Sequence, residues 1–511
     1  MFSCHTGRMS SATTPPLPDL ADLIRRSARL AEVPGLTEQA LVWHQEATGR
    51  RRSIAIEAVD LATPRVWPDT LASLASTLWR ATTAAAPDAP FRLLAAAAAS
   101  VGLRVEPPNA SAATIERAQR LVRAGGPAYV KLGQFIATAE GLLPDEWVHA
   151  FSWCRDEAPP LDEGVARGVV ERELGPIDEI FSSFDAEPLA AGSIGQVHRA
   201  RLVDGTEVVV KVRRPGLRRR FRADLETMAI VTATAERLHA GARAANVTGF
   251  VELFAQLSLE ELDFRLEAAN LVDSSAVLED LGADHMRSPR PVPHLVTERV
   301  LVMELLPGVA YHRLPADADI DGHRLLHHGI HGVVAATLGY GAFHGDLHAG
   351  NVLVDPSDAT FSLVDFGIAG RLDARQRAGL LAYLAAWSTQ DAAGQVEALQ
   401  AFGAVEAEAD VTHLVADLQR ELDRIASRTD GEVTFDQLGV TLGRLLQIMA
   451  SHGFRMPKDL VLFFKNLLYL SGFAASVAPD ADVLEVVQGI LVELIAEGSL
   501  GGLGEPVAAA S

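Results

Sequence analysis

The sequence predicts an α+β protein of two unlike lobes, one small and built on a mixed sheet, the other larger and helical, with a helical extension in front. Three observations carry that expectation. Residues 184–212 alternate apolar and polar side chains, hold glycines at 192, 195 and 205, and finish in Val208-Val-Val-Lys211-Val212. That is the period-two pattern of strands joined by tight turns. A second strand pair is expected at 294–306, closing on Pro307-Gly308. From about residue 322 the pattern is helical, interrupted once, at 344–370, by a short strand–loop–strand region.

Taken in order, residues 1–20 read as a flexible leader, and residues 21–109 as a helical region without an evident role. Within it, 21–85 is Ala-rich and suggests short helices. Pro87 and Pro90 precede a further helix near 91–103, and Pro107-Pro108-Asn109 makes a firm break. A helical extension over 110–183 follows. It has one helix from Ser111, the candidate N-cap, to Val122, and a second past Gly125-Gly126-Pro127 through Lys131 and Gln134 to about Leu142. Pro159-Pro160 opens a third helix, ending near Leu174. The small lobe spans 184–306, with helices inserted over 218–280, and the helical lobe spans 307–511.

Composition narrows the function classes. The 511 residues are 48% hydrophobic and 22% charged, enough apolar material for a sizeable core. Forty-five Lys and Arg against 66 Asp and Glu leave a net charge of −21, which disfavours general binding to nucleic acid. Two cysteines, Cys4 and Cys154, are too few for a disulfide framework or a cysteine-based zinc site. No stretch reaches the roughly 18 uncharged apolar residues of a membrane span. The chain therefore reads as cytoplasmic, with peripheral membrane contact left open and the oligomeric state unspecified.

The strongest chemical signal is His344-Gly-Asp346-Leu-His348-Ala-Gly-Asn351, followed by Leu363-Val-Asp365-Phe366-Gly367. The H-x-D-x-x-x-x-N spacing with a downstream D-F-G is the layout of kinase-type phosphoryl transfer. Asp346 would accept or orient the attacking hydroxyl or water. Asn351 and Asp365 supply the hard oxygen donors that suit Mg²⁺. Upstream, Ala190-Ala191-Gly192-Ser193-Ile-Gly195-Gln196 is a small-residue loop between two strands, whose backbone N–H groups can approach phosphate. Lys211, at the end of the next apolar strand, needs an anionic partner there. On the helical segment 258–270, Glu261 is the first choice for that partner and Glu267 the alternative. The nucleotide implied is ATP with Mg²⁺.

On these residues the chain resembles the AarF/UbiB family of atypical kinases, over roughly residues 110–475. The most specific mark is Lys131-Leu-Gly133-Gln134, similar to the family's K-x-G-Q motif. Ala190 to Gln196 resembles its alanine-rich loop and Glu261-Leu-Asp263 its E-x-D motif. The resemblance implies a protein-kinase-like fold in which Lys211 meets the α/β-phosphates and pairs with Glu261, and Asp346 holds the catalytic-base position. Asn351 and Asp365 would bind magnesium, and Glu304 would lie at the hinge near the adenine. Lys131 and Gln134 would sit over the active site. It also implies a link to quinone and isoprenoid lipid metabolism. The basic run from Arg213 to Arg222 then offers itself either to an anionic membrane surface or as an ordinary solvated helix face. The sequence departs from the family at Gly192, where many relatives carry a third alanine, and it lacks the apolar C-terminal hairpin of some members. Two other readings stay open: a small-molecule phosphotransferase of the aminoglycoside or choline kinase type, and a non-catalytic ATP-binding scaffold.

Overall fold

Gly126-Pro127, Gly205 and Pro307-Gly308 fall at element boundaries in the computed structural model. It describes residues 18–64, 112–124, 126–137, 145–154, 160–238, 247–314, 320–358, 360–403, 411–429 and 457–478, with isolated positions 448, 481, 486, 489, 490 and 493. The leader up to residue 17, the helix expected near 91–103 and the Pro107–Asn109 break lie outside the described residues.

The first elements are helices α1 (Leu20–Arg26), α2 (Ala28–Ala31) and α3 (Leu36–Ala62). The expectation of short helices is corrected at α3, which runs unbroken for 27 residues. Gly49 in its middle costs such a helix about 1 kcal/mol. Burial of Trp43, Ala47, Ile54, Ala58 and Leu61 offsets that cost. The extension follows as α4 (Ala112–Ala124), α5 (Pro127–Ala137), α6 (Asp145–Phe151) and α7 (Glu163–Leu174), then the single turn α8 (Ile177–Ile180).

The small lobe is a six-stranded sheet in the order β1-β3-β4-β7-β6, with β2 beside β3. Its strands are β1 (Phe181–Phe184), β2 (Ala190–Ala191), β3 (Gly195–Leu202), β4 (Glu207–Arg213), β6 (Pro291–Val296) and β7 (Val300–Glu304). Its ladders are antiparallel rather than mixed. Strand alternation decides which way β4 points its side chains. Val208, Val210 and Val212 pack with Val169 and Val170 of α7. Val209 belongs to the main core on the other face, and Lys211 lies on that same side, opposite Leu301 of β7. Between β4 and β6 the chain forms α9 (Leu217–Leu238), α10 (Val247–Glu260) and α11 (Phe264–Asp280). Helix α11 is buried along most of its length. The sheet covers one side and α1–α3 cover the other.

In the large lobe, β5 (Met286–Arg287), β11 (Thr360–Leu363), β10 (Val352–Asp355) and β8 (Val309–Ala310) form one sheet, with β5 and β11 parallel. Strands β9 (Ala342–His344) and β12 (Ala369–Arg371) pair as a separate two-stranded ribbon. Helices α12 (Gly322–Tyr340), α13 (Ala374–Ser388), α14 (Ala392–Phe402), α15 (Thr412–Thr429) and α16 (Lys458–Val477) complete the lobe. Helix α16 packs on α12 and β12, beneath the loops that carry Asp346 and Asp365. Among the described residues, no helix is long and apolar enough to cross a membrane.

Candidate active site

A cleft of about 1560 Å³ lies between the lobes, lined by residues from the β2–β3 loop, β4, α5, the loop after β9, the D-F-G turn and α16. Each wall has a local reason to stand where it does. The β2–β3 loop is closed by Gly192 N–H donating to the Gly195 carbonyl at 2.8 Å. Gly195 is required there because a Cβ would lie 2.6 Å from the Val212 carbonyl oxygen. On the opposite wall His344 is buried, and its neighbours fix its tautomer. Asp346 N–H donates to Nδ1 at 3.1 Å, so Nε2 carries the hydrogen that reaches the Val364 carbonyl at 3.1 Å. Burial pulls His344 below the ordinary histidine value, consistent with that neutral ring. One imidazole thus ties the Asp346 loop to the strand leading into Asp365.

Lys211 Nζ lies 2.8 Å from Glu267 Oε1 and 2.7 Å from Asp365 Oδ1. Burial opposes its charge, but the Asp365 and Glu267 carboxylates outweigh burial and hold the ammonium above the ordinary lysine range. Glu267 is 1% exposed at its side chain and is pushed up to about 7, by burial first. Asp365 itself adopts a left-handed backbone with φ +62. Non-glycine residues adopt that region infrequently and at a cost, and functional turns are where it is tolerated. Asn270 of α11 stabilises this turn by donating to the Phe366 carbonyl at 2.8 Å.

The expected pairing of Lys211 with Glu261 is therefore corrected. The physical reason is a helix break: α10 ends at Glu260, and α11 begins at Phe264 with Asp263 as its N-cap, accepting from Arg265 N–H at 3.2 Å. Glu261 and Glu267 belong to different elements. Glu261 instead receives Lys131 Nζ of α5 at 2.7 Å. Burial raises its carboxyl above the ordinary range, Lys131 opposing. Gln134, one turn on, accepts from Ser193 Oγ at 3.0 Å, so the K-x-G-Q helix is bonded to the glycine loop. Gly133 is glycine because a Cβ there would run into Cys154 Sγ.

Two further expectations change. Gln196 points away from the cleft. It is 1% exposed, accepts from Leu161 N–H at 2.7 Å and contacts His198 Nε2 at 2.6 Å. As the neighbour of Gly195 on an alternating strand, it faces the other side of the sheet. Glu304 likewise turns out of the cleft into a two-pronged pair with Arg290, at 3.0 Å on each prong. Leu305 and Leu306 line the cleft at the hinge instead. The basic run is also mostly spoken for. Arg213 meets Glu298 and the Leu262 carbonyl, Arg214 meets the Gly192 carbonyl, and Arg218 and Arg222 both meet Glu57 of α3.

Asp346 lies on the cleft wall with Asn351, whose Nδ2 donates to the Asp346 carbonyl at 3.0 Å. That leaves the Asn351 amide oxygen as the side chain's acceptor atom. Burial would raise Asp346, but Lys465, then His348 and Lys131, hold it far below the carboxylate range. Lys465 of α16 is ion-paired with Asp346 Oδ1, and the adjacent Asn466 bonds both the His344 carbonyl and the Leu347 N–H. Neither residue stood out in the sequence. The only available signal was the polar pair Lys465-Asn466 inside the otherwise apolar run Leu460 to Leu468.

The donor set fits a magnesium ion. Asn351 and Asp365 line the cleft as hard oxygen donors, and Glu261 keeps Oε1 buried without a hydrogen-bond partner beside them. Among the described residues no three His, Cys, Asp or Glu side chains cluster into an all-protein metal site. An ion held by one or two side chains and by phosphates needs no such cluster.

Comparison with known proteins gives the family of the chain. Residues 154–399 match the ABC1 atypical kinase-like domain and residues 424–482 the UbiB helical domain. A probable protein kinase UbiB of Pseudomonas putida (strain W619) is 32% identical, over 72% of this chain and 68% of its own length. An uncharacterised aarF domain-containing chloroplast protein kinase of Arabidopsis thaliana is 31% identical, over 72% of each chain. The solved complex of Rv3197 with erythromycin, from Mycobacterium tuberculosis, is 24% identical with a TM-score of 0.43, over 72% of this chain and 95% of that one. With its kinase-like lobes, its K-x-G-Q helix and a match to the UbiB helical domain, the chain belongs to the ABC1/UbiB family of atypical kinase-like proteins.

Proposed function

We propose that the cleft binds Mg-ATP and transfers or hydrolyses its γ-phosphoryl group. The observation that carries this reading is the meeting of Lys211 with both Glu267 and Asp365 within 2.9 Å, on a wall shared with Asp346 and Asn351. Three segments far apart in sequence thus bring two carboxylates and an ammonium together at the wall of one cleft. In this reading Lys211 neutralises phosphate, Asp346 takes the proton of the attacking oxygen, and Asn351 and Asp365 hold magnesium. Bound magnesium supplies neutralisation of phosphate charge. Catalysis rests on positioning and on fixed charges, with no covalent intermediate on the protein.

The acceptor is a small molecule or water, because α5 forms one wall of the cleft through Lys131, Gln134 and Phe135. Phe254, Leu257 and Leu462 add an apolar side to the same cleft. With the family's link to quinone and isoprenoid lipid metabolism, that wall makes an apolar phenolic or prenylated compound the first acceptor to try. An anionic membrane surface remains the proposed source of such a compound. The paired arginines of 213–222 do not contribute to that part of the proposal.

The test is Mg-dependent ATP binding and turnover by the wild type and Asp365→Asn, with and without anionic vesicles. Loss of Mg-dependent binding in Asp365→Asn is the expected result. Equal Mg-ATP binding by the two proteins would remove Asp365 from the metal site.

A further inference from the structure

Three lysines reach the cleft, and each touches a carboxylate. Lys211 meets Glu267 and Asp365, Lys131 meets Glu261, and Lys465 meets Asp346. The first two bind to acids outside the proton-transfer position. Lys465 alone sits on the residue that the proposed reaction would protonate.

Its place is not explained by holding the loop. That task falls to Asn466, which bonds the backbone on both sides of Asp346, at the His344 carbonyl and the Leu347 N–H. Lys465 adds a charge and little else. Its side chain is 10% exposed, its ammonium lies 5.8 Å from the Phe135 ring centre, and it lines the cleft.

We propose that Lys465 is a catalytic cation that passes from Asp346 to the phosphoryl group during transfer. This rests on the reading of the cleft as a Mg-ATP site. The acceptor O–H gives its proton to Asp346. The acceptor oxygen forms a bond to the γ-phosphorus, the bond from that phosphorus to the β,γ-bridging oxygen breaks, and ADP leaves with the electron pair. At that moment Asp346 loses its negative charge. A mostly buried ammonium then needs another anion, and the group in flight, with charge spread over its equatorial oxygens, is the neighbouring one. Helix α16, in the UbiB-type helical domain, thereby supplies a reacting group to the kinase-like cleft.

The experiment compares the full-length wild type with Lys465→Met and Lys465→Arg. It measures steady-state Mg-ATP turnover, the ATP dissociation constant by equilibrium binding, and the thermal midpoint. For Lys465→Met, kcat is expected to fall by about 100-fold, the usual loss when one preorganised charge at a transition state is removed. The dissociation constant should move less than about threefold, and Lys465→Arg should recover at least about tenfold of the lost rate by restoring charge. Unchanged or increased turnover in Lys465→Met overturns the proposal, an increase marking the pair as a lock. So does a loss of ATP affinity that accounts for the whole effect, or a Lys465→Arg variant as slow as Lys465→Met. If Lys465→Met fails to fold, the Lys465→Arg protein is judged alone: a folded variant with less than about one-tenth of wild-type kcat overturns the proposal. A wild type that binds no Mg-ATP sinks the nucleotide reading itself, and the inference with it. A wild type that turns over beside an equally active Lys465→Met sinks the inference alone.

Discussion

The two walls of the cleft hold their lysine–carboxylate pairs in different ways. On the small-lobe side, Lys211 and Glu267 come from a strand and a helix 56 residues apart, and both are almost fully buried, at 11% and 1% side-chain exposure. On the large-lobe side, Lys465 reaches Asp346 across 119 residues, and Asp346 keeps 20% of its side chain exposed. The deeper pair is committed to architecture as well as to ligand, because neither charge can be rehydrated if its partner is lost. The shallower one is open to the cleft, as the partner exchange proposed for Lys465 requires. The two lysines are buried alike, at 11% and 10% exposure, so it is the carboxylates that differ: loss of Glu267 should cost stability, and loss of Asp346 should cost rate.

Asp365→Asn should give the largest effect. Mg-dependent ATP turnover is expected to fall by about 10²-fold or more, read in an ADP-release assay, while the fold is retained. A variant with near-wild-type turnover would mean that Asp365 serves the Lys211 network only. Next in size, Glu267→Gln leaves Lys211 with Asp365 as its sole carboxylate. Removing one member of a buried pair costs about 3–5 kcal/mol when the other charge is left alone, and the remaining Asp365 contact should hold this loss to about the lower end. Urea unfolding should show that loss for Glu267→Gln, and the double variant Lys211→Met/Glu267→Leu should recover much of it. If the double variant is as unstable as the sum of two single losses, the pair is not coupled as its geometry suggests.

Lys131→Ala strips Glu261 of its ion pair and should cost less, because both side chains keep some exposure, 16% and 13%. A loss of about 1 kcal/mol is expected, together with weaker tethering of the glycine loop on α5. Hydrogen exchange at residues 189–195 reads that change, and unaltered protection there would detach the loop from the helix.

The smallest effect concerns histidines away from the cleft. His285 and His328 stack at 3.7 Å, with Arg324, His327, His331 and Asp284 around them. Burial, then neighbouring positive groups, draws His328 down to about 4 from the ordinary 6.5. The unfolded chain therefore binds more protons than the folded one between those values. Stability should be complete above about 6.5 and decline as pH falls toward 4. The thermal midpoint of His328→Gln should fall less than that of the wild type between pH 7 and pH 5. Parallel pH profiles for the two proteins would rule out this source of acid sensitivity.

Much of the site was legible because its motifs are local. The five-residue step from Asp346 to Asn351, the D-F-G turn and the lysine at the end of β4 are short-range patterns that place chemical groups on loops and strand ends. The strands over 184–212 and 294–306 and the helical bulk of the large lobe were legible from periodicity for the same reason. Gln196 was misplaced by reading a loop where a strand had already begun, so that alternation sent its side chain to the far face. Glu304 was misplaced because Arg290, on the chain leading into β6, captures it across the strand pair.

Alone, the sequence determined which residue types stand at the proposed phosphate and magnesium positions, since type and spacing are properties of the chain. Tertiary structure decided which carboxylate each lysine takes. A helix that stops at Glu260 and restarts at Phe264 turns Glu261 toward α5 and Glu267 toward β4. It also delivered Lys465 and Asn466 from α16 to the Asp346 loop. Partner choice between buried charges depends on distance and solvent exclusion. Both arise only when separate elements pack, and no spacing along the chain encodes them.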